Sequence, residues 1–179
     1  MRKSFVLLAM IVISASIETR SQSAESPILL FQDFSIRLPR DWVTRRGSGP
    51  EICSMEGVER TDGAKPQLSV QAVDDRGQNN EQLTSFVLLT KYSGTTVVAK
   101  EEYVATLAHL SAYRIELKFR LKDQADKRLE QVEFYASWWA VRVPSQKKIF
   151  LIRFLDYVDD LADGLKSAGA AFTSFKPTH

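Results

Sequence analysis

The sequence has 179 residues, with 24 basic and 22 acidic side chains and a single cysteine. A chain of this length can bury one hydrophobic core, and a lone cysteine excludes an intrachain disulfide, so the core alone must hold the fold. The near balance of charge lacks the basic excess of a nucleic-acid-binding protein, and we expect no nucleic-acid partner.

Residues 1–24 have the pattern of an export signal, with Arg2 and Lys3 ahead of an apolar run over residues 5–13. The alternative is an uncleaved membrane anchor, but a spanning helix needs an apolar run of about 20 residues. Cleavage after Ala24 would leave 21 basic and 21 acidic residues, and therefore a neutral mature protein. The sequence thus predicts a periplasmic or secreted protein without a stable membrane span.

The mature chain, residues 25–179, is expected to form a single domain, because it shows no repeat, low-complexity tract or linker. Apolar and polar residues alternate in its first third with the period of a half-buried strand. Strands are predicted at residues 28–31, 34–38, 52–55 and 68–73, with a polar loop at residues 45–50.

A first helix is predicted over residues 81–92. Asn79 or Asn80 would cap it, and Gly94 would end it. Its apolar side would consist of Leu83, Phe86, Val87 and Leu89.

Long antiparallel strands are predicted in the second half of the chain. Residues 97–107 are expected to be extended, and residues 113–122 alternate strictly between apolar and charged side chains. A polar turn at residues 123–127 would lead into a strand over residues 129–143, followed by a turn at residues 144–146. Short turns between long strands indicate hairpins, because a parallel pair would need a long crossover.

The last quarter of the chain predicts a buried strand that runs into an amphipathic helix. Residues 149–152 are apolar without interruption, as in a strand covered on both faces. Asp156 is predicted to cap the helix. The apolar face of the helix is predicted to consist of Phe154, Val158, Leu161, Leu165, Ala168 and Phe172.

Three segments resemble a known superfamily. They are residues 34–42 (FSIRLPRDW), residues 112–116 (AYRIE) and the final strand and helix with residues 174–176. In this order they resemble the PsbP-like proteins, the Mog-type Ran-binding factors and a bacterial DcrB-like periplasmic branch. Residues 108–111 lack a glycine that the family often has there.

The resemblance implies an α+β fold. This is an α/β/α sandwich with a central antiparallel sheet of about six or seven strands and helices on both faces. It also implies a protein-binding role without a common set of catalytic residues to carry over.

No catalytic motif supports an enzyme. The G-x-G-x-x-G, P-loop, G-x-S-x-G and H-E-x-x-H patterns do not occur, and we expect neither enzyme activity nor a cofactor. His109 and Cys53 are each isolated from other ligand or nucleophile residues and are predicted to be structural. The carboxylates of the last helix lack the glycine turn and bidentate glutamate of a calcium loop. We therefore expect them to stabilise the helix start: Asp156, Asp159, Asp160 and Asp163.

Five residues form a candidate partner-binding patch, because arginine and tryptophan are enriched at binding hot spots. They are Arg37, Arg40, Trp42, Arg45 and Arg46. The alternative is a solvated strand edge with Trp42 in the core. Neighbouring residues of a strand face opposite sides, so Trp138 and Trp139 can both be buried only if both faces of the sheet are covered.

Three functions remain open at this point. The first is an exported, non-catalytic accessory or adaptor protein that acts by binding another protein. The second is an immunity protein that neutralises a toxin delivered to the periplasm. The third is a small-ligand carrier or hydrolase that uses a cleft beside the sheet.

Overall fold

The computed structural model describes residues 26–45, 51–61, 63–122 and 130–178. The predicted signal segment and Arg46 lie outside these residues. The described chain forms ten strands, two α-helices and one turn of 3-10 helix (Pro144–Gln146). The strands and α-helices are β1 (Ile28–Leu30), β2 (Phe34–Arg37), β3 (Val43–Arg45), β4 (Glu51–Glu56), β5 (Gln67–Asp74), α1 (Asn80–Lys91), β6 (Thr95–Leu107), β7 (Leu110–Leu121), β8 (Phe134–Val143), β9 (Lys148–Tyr157), α2 (Leu161–Ser174) and β10 (Lys176–Pro177).

A seven-stranded antiparallel sheet is the centre of the fold, with the strand order β3-β4-β5-β9-β8-β7-β6. β9 is its middle strand, and residues 149–152 are fully buried, which confirms the prediction of a strand covered on both faces. α1 packs on one face and α2 on the other. The expected α+β sandwich, a seven-stranded antiparallel sheet with helices on both faces, is confirmed.

Alternation along β7 divides its side chains between the two faces as predicted. Ile115, Leu117 and Phe119 lie in the core beneath α1. Trp138 lies in the same core, where its indole N–H donates to the hydroxyl of Tyr92 at 2.8 Å. The two adjacent tryptophans of β8 lie on opposite faces, as expected: Trp138 is buried and Trp139 is partly buried on the α2 side.

α1 begins where the sequence predicted. Asn79 caps it, and Gln82 reciprocates, because each side chain accepts a hydrogen bond from the other residue's backbone N–H. The predicted apolar side is partly wrong. Thr84 is buried instead, whereas Leu89 is 74% exposed and Phe86 38% exposed.

α2 starts later than predicted, and the assigned role of Asp156 was wrong. Asp156 belongs to β9, where its side chain is only 1% exposed and forms an ion pair with Arg60. Asp160 precedes the first helical residue but makes no side-chain capping bond. The predicted apolar stripe therefore spans a strand, a turn and a helix, with only its last four members on α2.

A second sheet of three strands, β1-β2-β10, covers the end of the α2-side core. It places Phe34 and Ile36 in that core with no exposed surface. Neither β3 nor β10 was predicted from the sequence. In the described part of the chain, neither helix is long and apolar enough to cross a bilayer.

Candidate protein-docking face

The two faces of the large sheet differ in how far they are covered. α2 contacts the central strand β9 and the small sheet through β2. On the same side, the outward residues of β6 and β7 remain accessible to solvent. We call this surface the open face and define it by Glu101, Tyr103, Arg114, Glu116, Lys118 and Trp139, together with the buried Tyr135 that supports Arg114 from below.

Arg114 is held rigidly at the centre of the open face. It lies directly opposite Trp139 in the register of β7 and β8. Its guanidinium carbon lies 4.3 Å from the ring centroid of Trp139 and 5.4 Å from that of Tyr103. This cation–π geometry fits arginine, whose planar, weakly hydrated head stacks well on aromatic rings.

Hydrogen bonds fix the same guanidinium from its edge. Arg114 Nε donates to Ser137 Oγ at 3.0 Å, and Nη2 donates to the Tyr135 hydroxyl at 3.1 Å. Nη2 also pairs with Glu116. The side chain therefore has few alternative rotamers and would lose little conformational entropy on binding a partner.

Glu116 links the two phenols of the open face to this arginine. The hydroxyl of Tyr103 donates to Glu116 Oε1 at 2.8 Å. Burial, followed by the hydrogen bond to Glu116, raises the pKa of Tyr103 above its ordinary value. Burial first, and then Glu116, raises the pKa of Tyr135 to about 12. Both phenols are therefore neutral hydrogen-bonding groups at physiological pH.

Trp139 marks the boundary between the open face and α2. Its ring centroid lies 6.0 Å from that of Phe172 on α2. Its indole N–H is buried and has no hydrogen-bond partner among the described residues. Trp139 therefore packs against α2 on one side and against Arg114 of the open face on the other.

The outer edge of the large sheet, β6, resists pairing with another strand. A bulge lies between Val97 and Ala99, and Lys100, Glu101 and Glu102 follow it. Bulges and charges are the usual protection of an edge strand. At this edge, β6 therefore offers its side chains for contact more readily than its backbone.

The arginine patch predicted from the sequence is divided among several elements. Arg37 lies on β2, Arg40 is exposed in the following turn, and Arg45 lies on the edge strand β3, where Nε pairs with Glu56 at 2.9 Å. Trp42 is only 5% exposed, so the structure corrects its inclusion as an accessible contact. A docking role for the arginines stays a prediction.

The other candidate residues have ordinary surroundings. Cys53 is buried in β4, and burial raises the pKa of its thiol to about 11. His109 is exposed in the turn between β6 and β7. Within the described residues, no group of three or more His, Cys, Asp or Glu side chains could hold a metal ion.

No family model matches the sequence, and no curated protein matches it. The structure is similar to that of LpqN, a protein of Mycobacterium tuberculosis involved in cell envelope biogenesis, with a TM-score of 0.57, 14% identity and coverage of 82% of this chain and 83% of that one. It is also similar to the Saccharomyces cerevisiae Ran-binding protein Mog1p, with a TM-score of 0.54, 9% identity and coverage of 84% and 94%.

Cyanobacterial PsbP from Synechocystis aligns over 81% of this chain and 86% of its own length, with 14% identity and a TM-score of 0.49. The likeness to LpqN and Mog1p confirms the fold that the sequence motifs resemble. At such identities it shows the fold alone. The DcrB-like branch of the resemblance stays a prediction.

The open face was not predicted, although the sequence of β7 carries a signal for it. The outward residues of β7 are charged while its inward residues are apolar, so one side of this strand had to meet solvent or a partner. What the sequence did not reveal was which aromatic residues lie beside Arg114.

Proposed function

We propose that the protein is an exported, non-catalytic accessory protein that binds another protein through the open face. The observation that carries the proposal is the stack of Tyr103, Arg114 and Trp139 on an uncovered side of the sheet. Tyrosine, tryptophan and arginine are the residue types most enriched at binding hot spots. Here they are pre-ordered by contacts within the fold.

The composition of the open face also favours a protein partner. Arg114 is paired with Glu116, and Lys118 adds a further positive charge nearby. A surface of both signs with aromatic side chains suits another folded protein better than a uniformly charged polymer. LpqN and Mog1p, which share the fold, take part in envelope biogenesis and Ran binding respectively.

The proposal of export rests on the sequence of residues 1–24. Its test is fractionation of the producing cells, followed by N-terminal sequencing of the protein. We expect a mature chain that begins at residue 25 and lies outside the cytoplasm. A full-length chain retained in the cytoplasm would overturn this part of the proposal.

Site-specific photocrosslinking tests the docking face. A photoreactive amino acid at Lys118 reports on the open face, and one at Leu89, exposed on α1 of the opposite side, is the matched control. A third probe at Arg40 reports on the arginine patch. We expect a discrete adduct in the envelope fraction from Lys118 and none from Leu89.

A substitution then connects the adduct to the stack. Tyr103→Ala removes an aromatic that is 38% exposed on an edge strand, where its loss leaves the core intact. A hot-spot loss of about 2 kcal/mol corresponds to roughly thirtyfold weaker binding. The proposal is wrong if the adduct survives Tyr103→Ala, or if Leu89 yields the same adduct. An adduct from Arg40 alone would assign docking to the arginine patch instead.

A further inference from the structure

A cavity of about 520 Å³ opens between the β6–β7 turn, the end of α2 and β10. Its volume lies within the range of sites that hold small organic ligands. Buried Phe175 and Val143 contribute apolar walls, and partly buried Leu110 and Pro177 extend them. The interior therefore favours an apolar body.

Most hydroxyl groups that line the cavity already form hydrogen bonds with the backbone. Thr173 Oγ1 donates to the carbonyl of Gly169 at 3.0 Å. Ser174 Oγ donates to the carbonyl of Ala171 and accepts the backbone N–H of Arg37. Because these groups are satisfied, they demand no polar ligand atom in the interior.

The polar groups at the rim have a different character. His109, Ser145 and Lys176 are exposed lining residues, and each can donate a hydrogen bond. Lys176 adds a positive charge, and none of the described lining residues is acidic. The cavity thus combines apolar walls with a cationic, donor-rich rim.

The turn that presents His109 is held in an unfavourable backbone conformation. Ala108 and His109 have φ values of 47° and 68°, and the residues on either side of them are paired as the ends of β6 and β7. The left-handed region costs a non-glycine residue roughly 1–2 kcal/mol. Glycine would relieve this cost but would not place an imidazole at the rim.

We propose that this cavity binds a single-chain amphiphile with an anionic head, a medium-chain fatty acid. The alkyl chain lies against Phe175 and Val143, and the carboxylate meets Lys176 and His109 at the rim. This site is separate from the open face and does not depend on the docking partner.

Calorimetric titration of the mature protein with decanoate tests the proposal, with decanol and decyltrimethylammonium as neutral and cationic comparisons. We expect saturable 1:1 binding of decanoate, weaker binding of decanol and the weakest binding of the cation. Shortening the chain to octanoate removes two methylenes and is expected to weaken binding about fifteenfold.

Two pairs of variants assign the site. Thr173→Trp fills the cavity mouth and is expected to abolish binding, whereas Thr90→Trp is the control on α1, where the threonine makes the same bond to a carbonyl one turn earlier. Lys176→Gln is expected to weaken decanoate binding roughly two- to fivefold and leave decanol unchanged. Lys166→Gln, exposed on α2 away from the cavity, should change neither.

Three results would overturn the proposal: no saturable binding, equal affinity for all three head groups, or binding that survives Thr173→Trp. Thermal unfolding of each variant shows whether it is folded. Tyr103→Ala should bind decanoate normally, so that failure of the docking proposal and failure of this one are distinguishable.

Discussion

Replacing Gly164 with alanine should strongly destabilise the protein, although alanine is normally the better helix former. A Cβ at this position would lie 1.8 Å from Asp156 Oδ2 and 3.1 Å from Phe154 Cζ. The carboxylate has no room to move, because Arg60 binds it at 2.6 and 2.8 Å and the backbone N–H of Tyr157 binds it at 2.9 Å. The added methyl group must therefore break the ion pair.

The magnitude follows from two opposing effects. Breaking a buried ion pair costs roughly 3–5 kcal/mol, because it leaves a buried charge without compensation. Replacing glycine with alanine in a helix interior recovers about 1 kcal/mol. We expect Gly164→Ala to lower the free energy of unfolding by roughly 2–4 kcal/mol, which corresponds to a fall in Tm of roughly 4–16 °C.

Gly169 provides a control on the same helix. Apart from its neighbours in the backbone of the helix, no atom of the described residues lies within 4 Å of a Cβ built there, so Gly169→Ala should stabilise the protein by about 1 kcal/mol. Urea unfolding followed by circular dichroism measures both variants. In an Asp156→Ala background, Gly164→Ala should lose most of its penalty. The reasoning is refuted if Gly164→Ala stabilises the protein as Gly169→Ala does.

Three further predictions concern single side chains. Asn79→Ala should cost about 1 kcal/mol in urea unfolding because it removes the capping bond to Gln82, whereas Asn80→Ala should cost little. Cys53, with its pKa raised to about 11 by burial, should react with Ellman's reagent only on unfolding, and rapid reaction of the native protein would contradict its burial. Tyr135 has its pKa raised to about 12, so its contribution to stability should be complete below the unfolded pKa of about 10 and disappear as the pH rises to about 12. Across that pH range, the Tm of Tyr135→Phe should decline less steeply than that of the native protein. An equally steep decline in both proteins would disprove the assignment.

The parts of the fold that the sequence predicted are those in which burial alone sets the residue pattern. β7 alternates because one of its faces lies beneath α1, and residues 149–152 of β9 are continuously apolar because both faces of the strand are covered there. The Asn79 cap was predictable because capping depends on residues close in sequence. Local rules sufficed in each case.

The prediction for Asp156 failed because its role depends on a distant residue. A carboxylate ahead of an amphipathic stretch fits a helix cap equally well, and only the three-dimensional fold brings Arg60 from the β4–β5 loop into contact with it. The glycine at position 164 could have signalled the close contact. A hydropathy pattern, however, does not show that a glycine leaves room for a buried carboxylate.

The open face was missed because strand register depends on the centre of the connecting turn. A turn centred on residue 125, as the sequence suggested, would place Arg114 opposite Ala136. The observed register places it opposite Trp139, since β8 begins only at Phe134. The longer connection therefore changes which residues meet, and it creates the arginine–tryptophan contact that the candidate site depends on.

We propose that the open face is a surface for contact with a partner and not merely for solubility. Solubility would be met by charged residues alone, as Lys118 and Arg120 show on β7. Instead Trp139 and Tyr103 flank Arg114. Aromatic side chains that served only to pack the core would lie beneath α2, as Phe154 does. Trp139 lies instead at the margin of α2, and Ser137 and Tyr135 already orient the Arg114 guanidinium beside it. Because the guanidinium is already ordered, less entropy is lost on association. Tyr103 is the most accessible member of the stack. Its loss should therefore reduce docking most while leaving the fold intact.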